Sequence, residues 1–286
     1  MARATRLGLW LLLMPFSTGM MLAGTFPTDS HPPTLEAARD LLHAVCPADS
    51  VAVTDRHGVN AGCKSCPAIV SDSSGTMNGD SDTIAFSLQG VIYGSFTRAG
   101  VQQSVASFSG CEPHVNNFGG SILLEKSPAG WKAESYEPGF ISDECLKYQL
   151  RGGRDLLLCH EGYVGQGVGV NSLYRFDYTL PEKQQTNTFF STTDTVDACF
   201  VKNRVMGSIE YVRLRDLNGD GMPDLVVGVK AARIKPPAGH EQDCGAPIVR
   251  PVVKTEELDF LFSDGTFKIA PWSAGIKREL DGLFAQ

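Results

Sequence analysis

The short stretch DLNGDGMPD places oxygen-bearing side chains at its first, third, fifth and ninth positions. These side chains belong to Asp216, Asn218, Asp220 and Asp224, and the backbone carbonyl of Met222 would supply position seven. Calcium is a hard cation that takes about six to eight oxygen ligands, several of them carboxylates. Three carboxylates this close repel one another unless a cation neutralises them. The stretch therefore predicts a calcium site formed by these five residues.

Two features distinguish this loop from the helix–loop–helix site known as the EF-hand. An EF-hand requires a glutamate at position 12 and helices on both sides, whereas position 12 here is Val227 in an apolar run. The preceding residues Ile209–Leu214 alternate as a strand does. Gly219 and Gly221 allow the backbone to curl so that alternate residues point inward. We therefore expect a calcium loop within a β-hairpin.

The segment DLNGDGMPDLVVG, from Asp216 to Gly228, resembles the FG-GAP repeat. That repeat is the blade unit of integrin alpha-subunit propellers and of many bacterial secreted proteins. The resemblance is close over this segment and only a pattern elsewhere. It implies a propeller blade whose calcium lies between the first two strands, on the five residues named above. Because protein oxygens would fill the coordination shell, we expect a structural ion and not a catalytic one.

A strand, a glycine-containing loop and a second strand recur three times, each time followed by a strand, a tight turn and a strand. The copies centre on Gly100, Gly153 and Gly221. A four-stranded unit recurring roughly every 50 residues is typical of propeller blades. A propeller needs about four blades or more, so residues 46–93 would have to supply a further sheet for the ring to close. The sequence predicts an all-β, propeller-like array of small antiparallel sheets with a short N-terminal helix; a β-sandwich is the alternative.

The other two copies of the loop lack most of the acidic residues. The ligand positions of the first copy hold neutral residues, and the second copy retains only Asp155. The neutral residues are Ser95, Thr97, Ala99 and Gln103. One calcium ion per chain is therefore expected.

Residues 1–24 are interpreted as a secretory signal peptide. Arg3 and Arg6 precede the apolar stretch LGLWLLLMPF, and small residues follow it. The apolar part, about ten residues, is well short of the ~20 that span a bilayer. We therefore expect a secreted or periplasmic protein that is not embedded in a membrane after the signal is cleaved.

The remaining chain is expected to form one β domain behind a short lead. Residues 25–48 contain a polar, proline-rich segment and then apolar residues at helical spacing from Leu35 to Val45, with Thr34 as the N-cap. Residues 49–286 form the single β domain of repeats. A last helix is expected over residues 274–284, where apolar residues share one face.

All eight cysteines follow the signal, and an even number in an exported chain favours disulfides. Spacing alone suggests one local bridge within Cys46, Cys63 and Cys66, and another between Cys199 and Cys244. Cys63 and Cys66 form a C-x-x-C, which could also be a redox pair or half of a zinc site. Structural bridging is favoured because no thioredoxin-like pattern and no second C-x-x-C accompany it.

Catalytic motifs are scarce in this sequence. It contains no G-x-S-x-G, H-E-x-x-H or P-loop motif. The runs CEPH (residues 111–114) and CHE (residues 159–161) each group a thiol, a carboxylate and an imidazole. In an oxidising compartment these cysteines are expected to be bridged and not nucleophilic. No catalytic or cofactor-binding residue is therefore predicted.

The charge distribution narrows the range of partners. The formal net charge is −7, and no run of lysine and arginine reaches four residues, so a nucleic-acid partner has no support. We expect a calcium-stabilised binding or scaffold module with a protein or a glycan as its ligand. The alternative is a secreted polysaccharide hydrolase whose carboxylates converge only in the tertiary fold.

Overall fold

The computed structural model describes residues 26–48, 50–54, 60–71, 84–111, 119–198, 204–234 and 252–284. The predicted signal peptide lies outside these described residues. The helices are α1 (Leu35–Val45), α2 (Ala68–Ser71), α3 (Glu182–Gln185) and α4 (Ala274–Phe284), with a short 3-10 helix over Pro271–Ser273. The strands are β1 (Val51–Thr54), β2 (Asn60–Cys63), β3 (Phe86–Gly94), β4 (Gln103–Gly110), β5 (Gly120–Ser127), β6 (Gly130–Pro138), β7 (Cys145–Gln149), β8 (Asp155–Gly165), β9 (Val168–Phe176), β10 (Thr186–Asp194), β11 (Arg204–Arg215), β12 (Asp224–Ile234), β13 (Lys254–Ser263) and β14 (Thr266–Ile269).

These strands form three antiparallel sheets in which neighbours in sequence are also neighbours in space. Sheet I contains β1 to β6, sheet II contains β7 to β10, and sheet III contains β11 to β14. The expected all-β class is confirmed. Within the described residues no sheet closes on itself, so the propeller ring stays a prediction. No helix in the same residues is long and apolar enough to cross a membrane.

Sheets I and II bury side chains on both faces, because residues alternate between the two faces of a strand. On β4, Phe108 enters a cluster beneath α1, whereas Val105 enters a cluster shared with sheet II. On β8, Leu157 enters that shared cluster, whereas Leu156 and Leu158 enter one shared with sheet III. The layers therefore follow the order α1, sheet I, sheet II, sheet III.

Each of the three predicted repeats is a four-stranded meander: β3 to β6, β7 to β10 and β11 to β14. The loop between the first two strands of each contains a glycine with positive φ, namely Gly100 (76°), Gly153 (77°) and Gly221 (82°). A side chain at these positions would be strained, which explains the recurring glycine. The repeat seen in the sequence is thus a repeat of backbone conformation.

The described part of residues 46–93 does not form the further sheet that closure of the ring would require. β1 and β2 extend sheet I, where Gly62 pairs with Ser87 and Cys63 with Phe86. An unpaired strand edge leaves backbone N–H and C=O groups without partners. β2 pairs with the first two residues of β3, so these strands widen an existing sheet and do not form a new one.

The polar N-terminal lead joins sheets I and II. The backbone N–H of Asp29 donates to the Cys145 carbonyl at 2.9 Å, and His31 forms a two-way backbone bridge with Val91. The Asp29 carboxylate also accepts from the Lys147 backbone N–H at 2.6 Å. The lead therefore runs between β3 of one sheet and β7 of the next.

Both predicted helices are confirmed. Thr34 Oγ1 accepts a hydrogen bond from the backbone N–H of Ala37 at 3.3 Å and so caps α1. The apolar face of α1 covers sheet I. On α4, Leu280 is buried against the cluster between sheets II and III.

Six cysteines lie in the described residues, and they form three disulfides: Cys46–Cys63, Cys66–Cys111 and Cys145–Cys159. The predicted local bridge is confirmed as Cys46–Cys63. Cys63 and Cys66 are bonded to different partners, so the alternative of a C-x-x-C redox pair is wrong. The predicted bridge between the two remaining cysteines, at positions 199 and 244, lies outside the described residues.

Replacing Cys145 and Cys159 together by alanine should lower the free energy of unfolding by about 3 kcal/mol, because a bridge that closes a loop of about 15 residues restricts the unfolded chain. The two cysteines are 14 residues apart and face each other on β7 and β8. Urea unfolding of the oxidised protein measures the change. Non-reducing peptide mapping should recover the three linked pairs; an unchanged urea midpoint in the double variant would contradict the expectation.

Candidate metal-binding loop and acidic cleft

The predicted calcium loop connects β11 to β12, the first two strands of sheet III. Its glycines Gly219 and Gly221 have φ angles of 76° and 82°. No heavy atom lies within 4 Å of a Cβ built on either glycine, so backbone conformation, not crowding, requires them. They curl the loop as the sequence predicted.

The first three predicted side-chain ligands accept hydrogen bonds from the loop's own backbone. Asp216 accepts from the N–H groups of Gly219 and Gly221, at 2.7 and 3.0 Å. Asn218 Oδ1 accepts from the N–H of Asp220 at 2.9 Å, and Asp220 Oδ1 accepts from that of Met222 at 2.7 Å. These bonds hold the three side chains against the backbone of the loop, where all three remain exposed.

Asp224, at the ninth position, is fully buried. Its Oδ2 accepts from the Leu217 backbone N–H at 3.0 Å, and its Oδ1 from that of Phe262 on β13 at 2.8 Å. One carboxylate therefore joins the start of the loop to the third strand of the sheet. Asp224 is the anchor of the loop as well as a predicted ligand.

Two residues of the β7–β8 hairpin contact this loop, and no sequence motif predicts either contact. Tyr148 Oη donates to the carbonyl of Pro223 at 2.5 Å. Arg151 donates to the carbonyl of Asp220 and lies 3.4 Å from its carboxylate. Burial, followed by the negative charges of Asp224 and Asp220, raises the pKa of Tyr148 well above its usual range. The hydroxyl therefore stays protonated and remains a donor at neutral pH.

The loop fits calcium by the chemistry of its donors. Asp216, Asn218 and Asp220 supply hard oxygens, and a carboxylate has about four lone-pair sites, more than the backbone hydrogen bonds here use. The Met222 carbonyl belongs to a residue anchored in the core. Within the described residues, no three histidine, cysteine or acidic side chains stand together in a metal-binding arrangement. Ion binding would thus draw on the remaining lone pairs of carboxylates already positioned by backbone N–H groups.

The ninth position of the predicted calcium motif is the first residue of the second strand in all three repeats. It is Gln103 in the first repeat, Asp155 in the second and Asp224 in the third. All three are buried. Gln103 accepts from the Thr97 N–H at 2.9 Å, and Asp155 from the Ser95 N–H at 2.8 Å.

The runs CEPH (residues 111–114) and CHE (residues 159–161), which group a thiol with an imidazole, have no free thiol in the described residues. Cys111 and Cys159 are both in disulfides. His160 Nδ1 is hydrogen-bonded to Glu144, which lowers the pKa of that carboxyl below its usual value. Residues 112–114 of the first grouping lie outside the described residues. A cysteine nucleophile is therefore absent at Cys111 and Cys159.

The structure also brings together carboxylates that the sequence scatters. Two adjoining cavities of about 330 and 280 Å³ lie where the chain leaves β6 and crosses to β8 and β9. They share Gly139, Glu161 and Tyr174. We call this pair of cavities the acidic cleft, after the carboxylates that line it. They are Glu137, Asp143, Glu144, Glu161 and Glu182.

No protein-family model, no curated protein and no solved structure matches this chain.

Replacing Asp224 by asparagine should lower the free energy of unfolding by about 2 to 4 kcal/mol, measured by urea unfolding in EGTA so that no calcium contributes. The asparagine amide would face the N–H of either Leu217 or Phe262, leaving a buried donor without an acceptor.

Asp264→Asn is the matched control, because Asp264 lies in an exposed turn of the same sheet. It should change the urea midpoint little. Equal effects of the two substitutions would show that Asp224 does not anchor the loop.

Proposed function

We propose that this chain is an exported, calcium-stabilised binding or scaffold module of the FG-GAP type, in which a structural ion is held by the β11–β12 loop. The observation that carries the proposal is the curled loop itself. Asp216, Asn218 and Asp220 accept hydrogen bonds from its backbone N–H groups, and Gly219 and Gly221 curl it with positive φ angles. An ion there would neutralise carboxylates that otherwise repel one another.

The repeated architecture supports this proposal. The three equivalent loops belong to sheets that pack side by side, and residues of one loop contact the next. Asp155 and Ser95 exchange hydrogen bonds between sheets I and II, and Arg151 links sheet II to the calcium loop. Neighbouring propeller blades would be arranged in this way. The three disulfides suit an oxidising, extracytoplasmic compartment.

We infer a role in binding, with a protein or glycan ligand, because the proposed ion would be structural. Both carboxylate oxygens of the buried Asp224 accept hydrogen bonds from the backbone of the hairpin and of β13. The ion would therefore stiffen a surface and not activate a substrate. Loops positioned on a rigid sheet scaffold are common binding surfaces.

Calcium should raise the thermal unfolding midpoint by several degrees relative to EGTA. A ligand at a hundred-fold excess over its Kd stabilises the folded state by about 2.7 kcal/mol. Asp220→Ala should abolish the shift, because it removes a central ligand. Metal analysis of the purified protein should find about one calcium per chain.

Asp264→Ala serves as the control for this experiment, because it removes an exposed carboxylate from another turn of sheet III. It should keep the full calcium-dependent shift. If the wild-type midpoint is the same with calcium and with EGTA, and no metal is found, the loop is only an Asx-rich turn and the proposal fails.

A polysaccharide hydrolase is the second candidate, favoured by one observation. Burial, together with the nearby charge of Glu182, raises the pKa of Glu137 in the acidic cleft. A carboxyl that remains protonated at higher pH suits a general acid, and Glu161 and Glu182 line the same cavity.

This second function predicts turnover of at least one member of a polysaccharide panel. Glu137→Gln should then reduce kcat by roughly 10² to 10⁴-fold, because it removes the proton donor. Glu36→Gln on the exposed side of α1 should leave kcat unchanged. Absence of turnover across the panel would eliminate the hydrolase.

A further inference from the structure

The acidic cleft holds negative charge that the described residues do not neutralise. Glu144 is paired with His160, and Asp143 accepts a hydrogen bond from Ser107. The other three carboxylates have no lysine, arginine or histidine partner in the described part of the chain. They are Glu137, Glu161 and Glu182. Neither cavity is lined by a described lysine or arginine.

A tyrosine in the cleft wall provides independent evidence for a ligand. Tyr174 is only 5% exposed and lines both cavities. Its hydroxyl makes no hydrogen bond to any described residue and is open to the solvent of the cleft. Burial, together with the charges of Glu161 and Glu144, raises the pKa of Tyr174. The hydroxyl is an open hydrogen-bonding position in a wall that both cavities share.

The shape of the cleft decides between kinds of cation. A metal ion needs oxygens at about 2 to 2.6 Å from one point. These carboxylates are instead spread around two joined cavities of about 330 and 280 Å³. A larger cation that donates several hydrogen bonds can reach carboxylates at this spacing.

The apolar part of the lining suits an aliphatic chain. Phe140 and Phe176 stack at 4.0 Å between ring centroids and line one cavity, and Ile141 lines the other. Tyr163, which is 58% exposed, stands at the opening of the first cavity. Aromatic faces attract cations and cover methylene groups. Carboxylates beside aromatic and aliphatic side chains match an ammonium group on a carbon chain.

We propose that the acidic cleft binds a primary alkylammonium group, which contacts Glu161 and the Tyr174 hydroxyl while its aliphatic chain lies against Phe140 and Ile141. Two sources carry this chemistry, namely a free polyamine and a lysine side chain of a peptide. The proposal is independent of the calcium loop, since no residue of that loop lines the cleft.

Isothermal titration of the oxidised full chain in EGTA tests the proposal, with 1,5-diaminopentane and the blocked tripeptide Gly-Lys-Gly as probes. Saturable binding of the diamine alone would indicate a free polyamine, and binding of both would indicate a lysine side chain. 1,5-Pentanediol has the same chain without charge and should not bind. Affinity should fall as sodium chloride is raised, because salt screens the charges.

Two substitutions locate the binding. Glu161 lines both cavities. Glu161→Gln should weaken the affinity about tenfold, because it removes the charge-assisted hydrogen bond between this carboxylate and the ammonium group. Tyr174→Phe should weaken it about fivefold, because it keeps the ring and removes the hydroxyl. Glu36→Gln makes the same charge change on α1 and should have no effect. Thermal midpoints of all the variants check that each is folded.

Failure of both amines to bind would overturn the proposal. Equal binding of the amine and the diol would also overturn it, and so would equal affinities of Glu161→Gln and Glu36→Gln. Binding of a neutral oligosaccharide that is lost in Glu161→Gln would overturn it in favour of the hydrolase. None of these results depends on the calcium-dependent midpoint, which tests the binding-module proposal separately.

Discussion

Each repeated four-stranded unit of this protein has a buried polar side chain at the start of its second strand that accepts hydrogen bonds from backbone N–H groups. Burying such a group without hydrogen bonds costs about 1 to 3 kcal/mol or more, so the surrounding backbone must supply partners. Asp224 obtains them from Leu217 and Phe262, and therefore determines where the loop begins and how β13 lies beside it. Asp155 obtains one from Ser95, which belongs to another sheet. The same requirement thus shapes the loops and joins the sheets.

The order of the sheets follows from strands that are apolar on both faces. β8 sends Leu157 toward sheet I and its neighbours Leu156 and Leu158 toward sheet III. A strand of this kind can be buried only between two other layers. The Cys145–Cys159 bridge lies in the cluster between sheets I and II, beside Leu157. Sheet II is therefore the central layer, and the calcium loop and the acidic cleft both use residues that it supplies.

Negative charge is concentrated in two places that differ in how it is satisfied. In the calcium loop, backbone N–H groups and the guanidinium of Arg151 already surround the carboxylates of Asp216 and Asp220. In the acidic cleft, Glu161 has aromatic neighbours and the partnerless hydroxyl of Tyr174. The loop is compact, and the cleft is open and partly apolar. This difference supports our two proposals, a small hard ion at the loop and an organic cation in the cleft.

Local patterns in the sequence determined the strands, the two terminal helices and the curled loop. Alternation predicted β11, the apolar run after the loop predicted β12, Thr34 predicted the start of α1, and Gly219 and Gly221 predicted the turn. Each of these depends on backbone conformation over a few residues, which the identity of those residues restricts directly.

Only the tertiary structure decided which distant groups meet. Tyr148 and Arg151 are about 70 residues from the loop they contact, and the carboxylates of the acidic cleft come from separate elements between Glu137 and Glu182. The pairing of β2 with β3, which adds β1 and β2 to sheet I, is likewise a tertiary contact. Such pairings depend on the total free energy of packing and hydrogen bonding over the whole chain, which no local pattern contains.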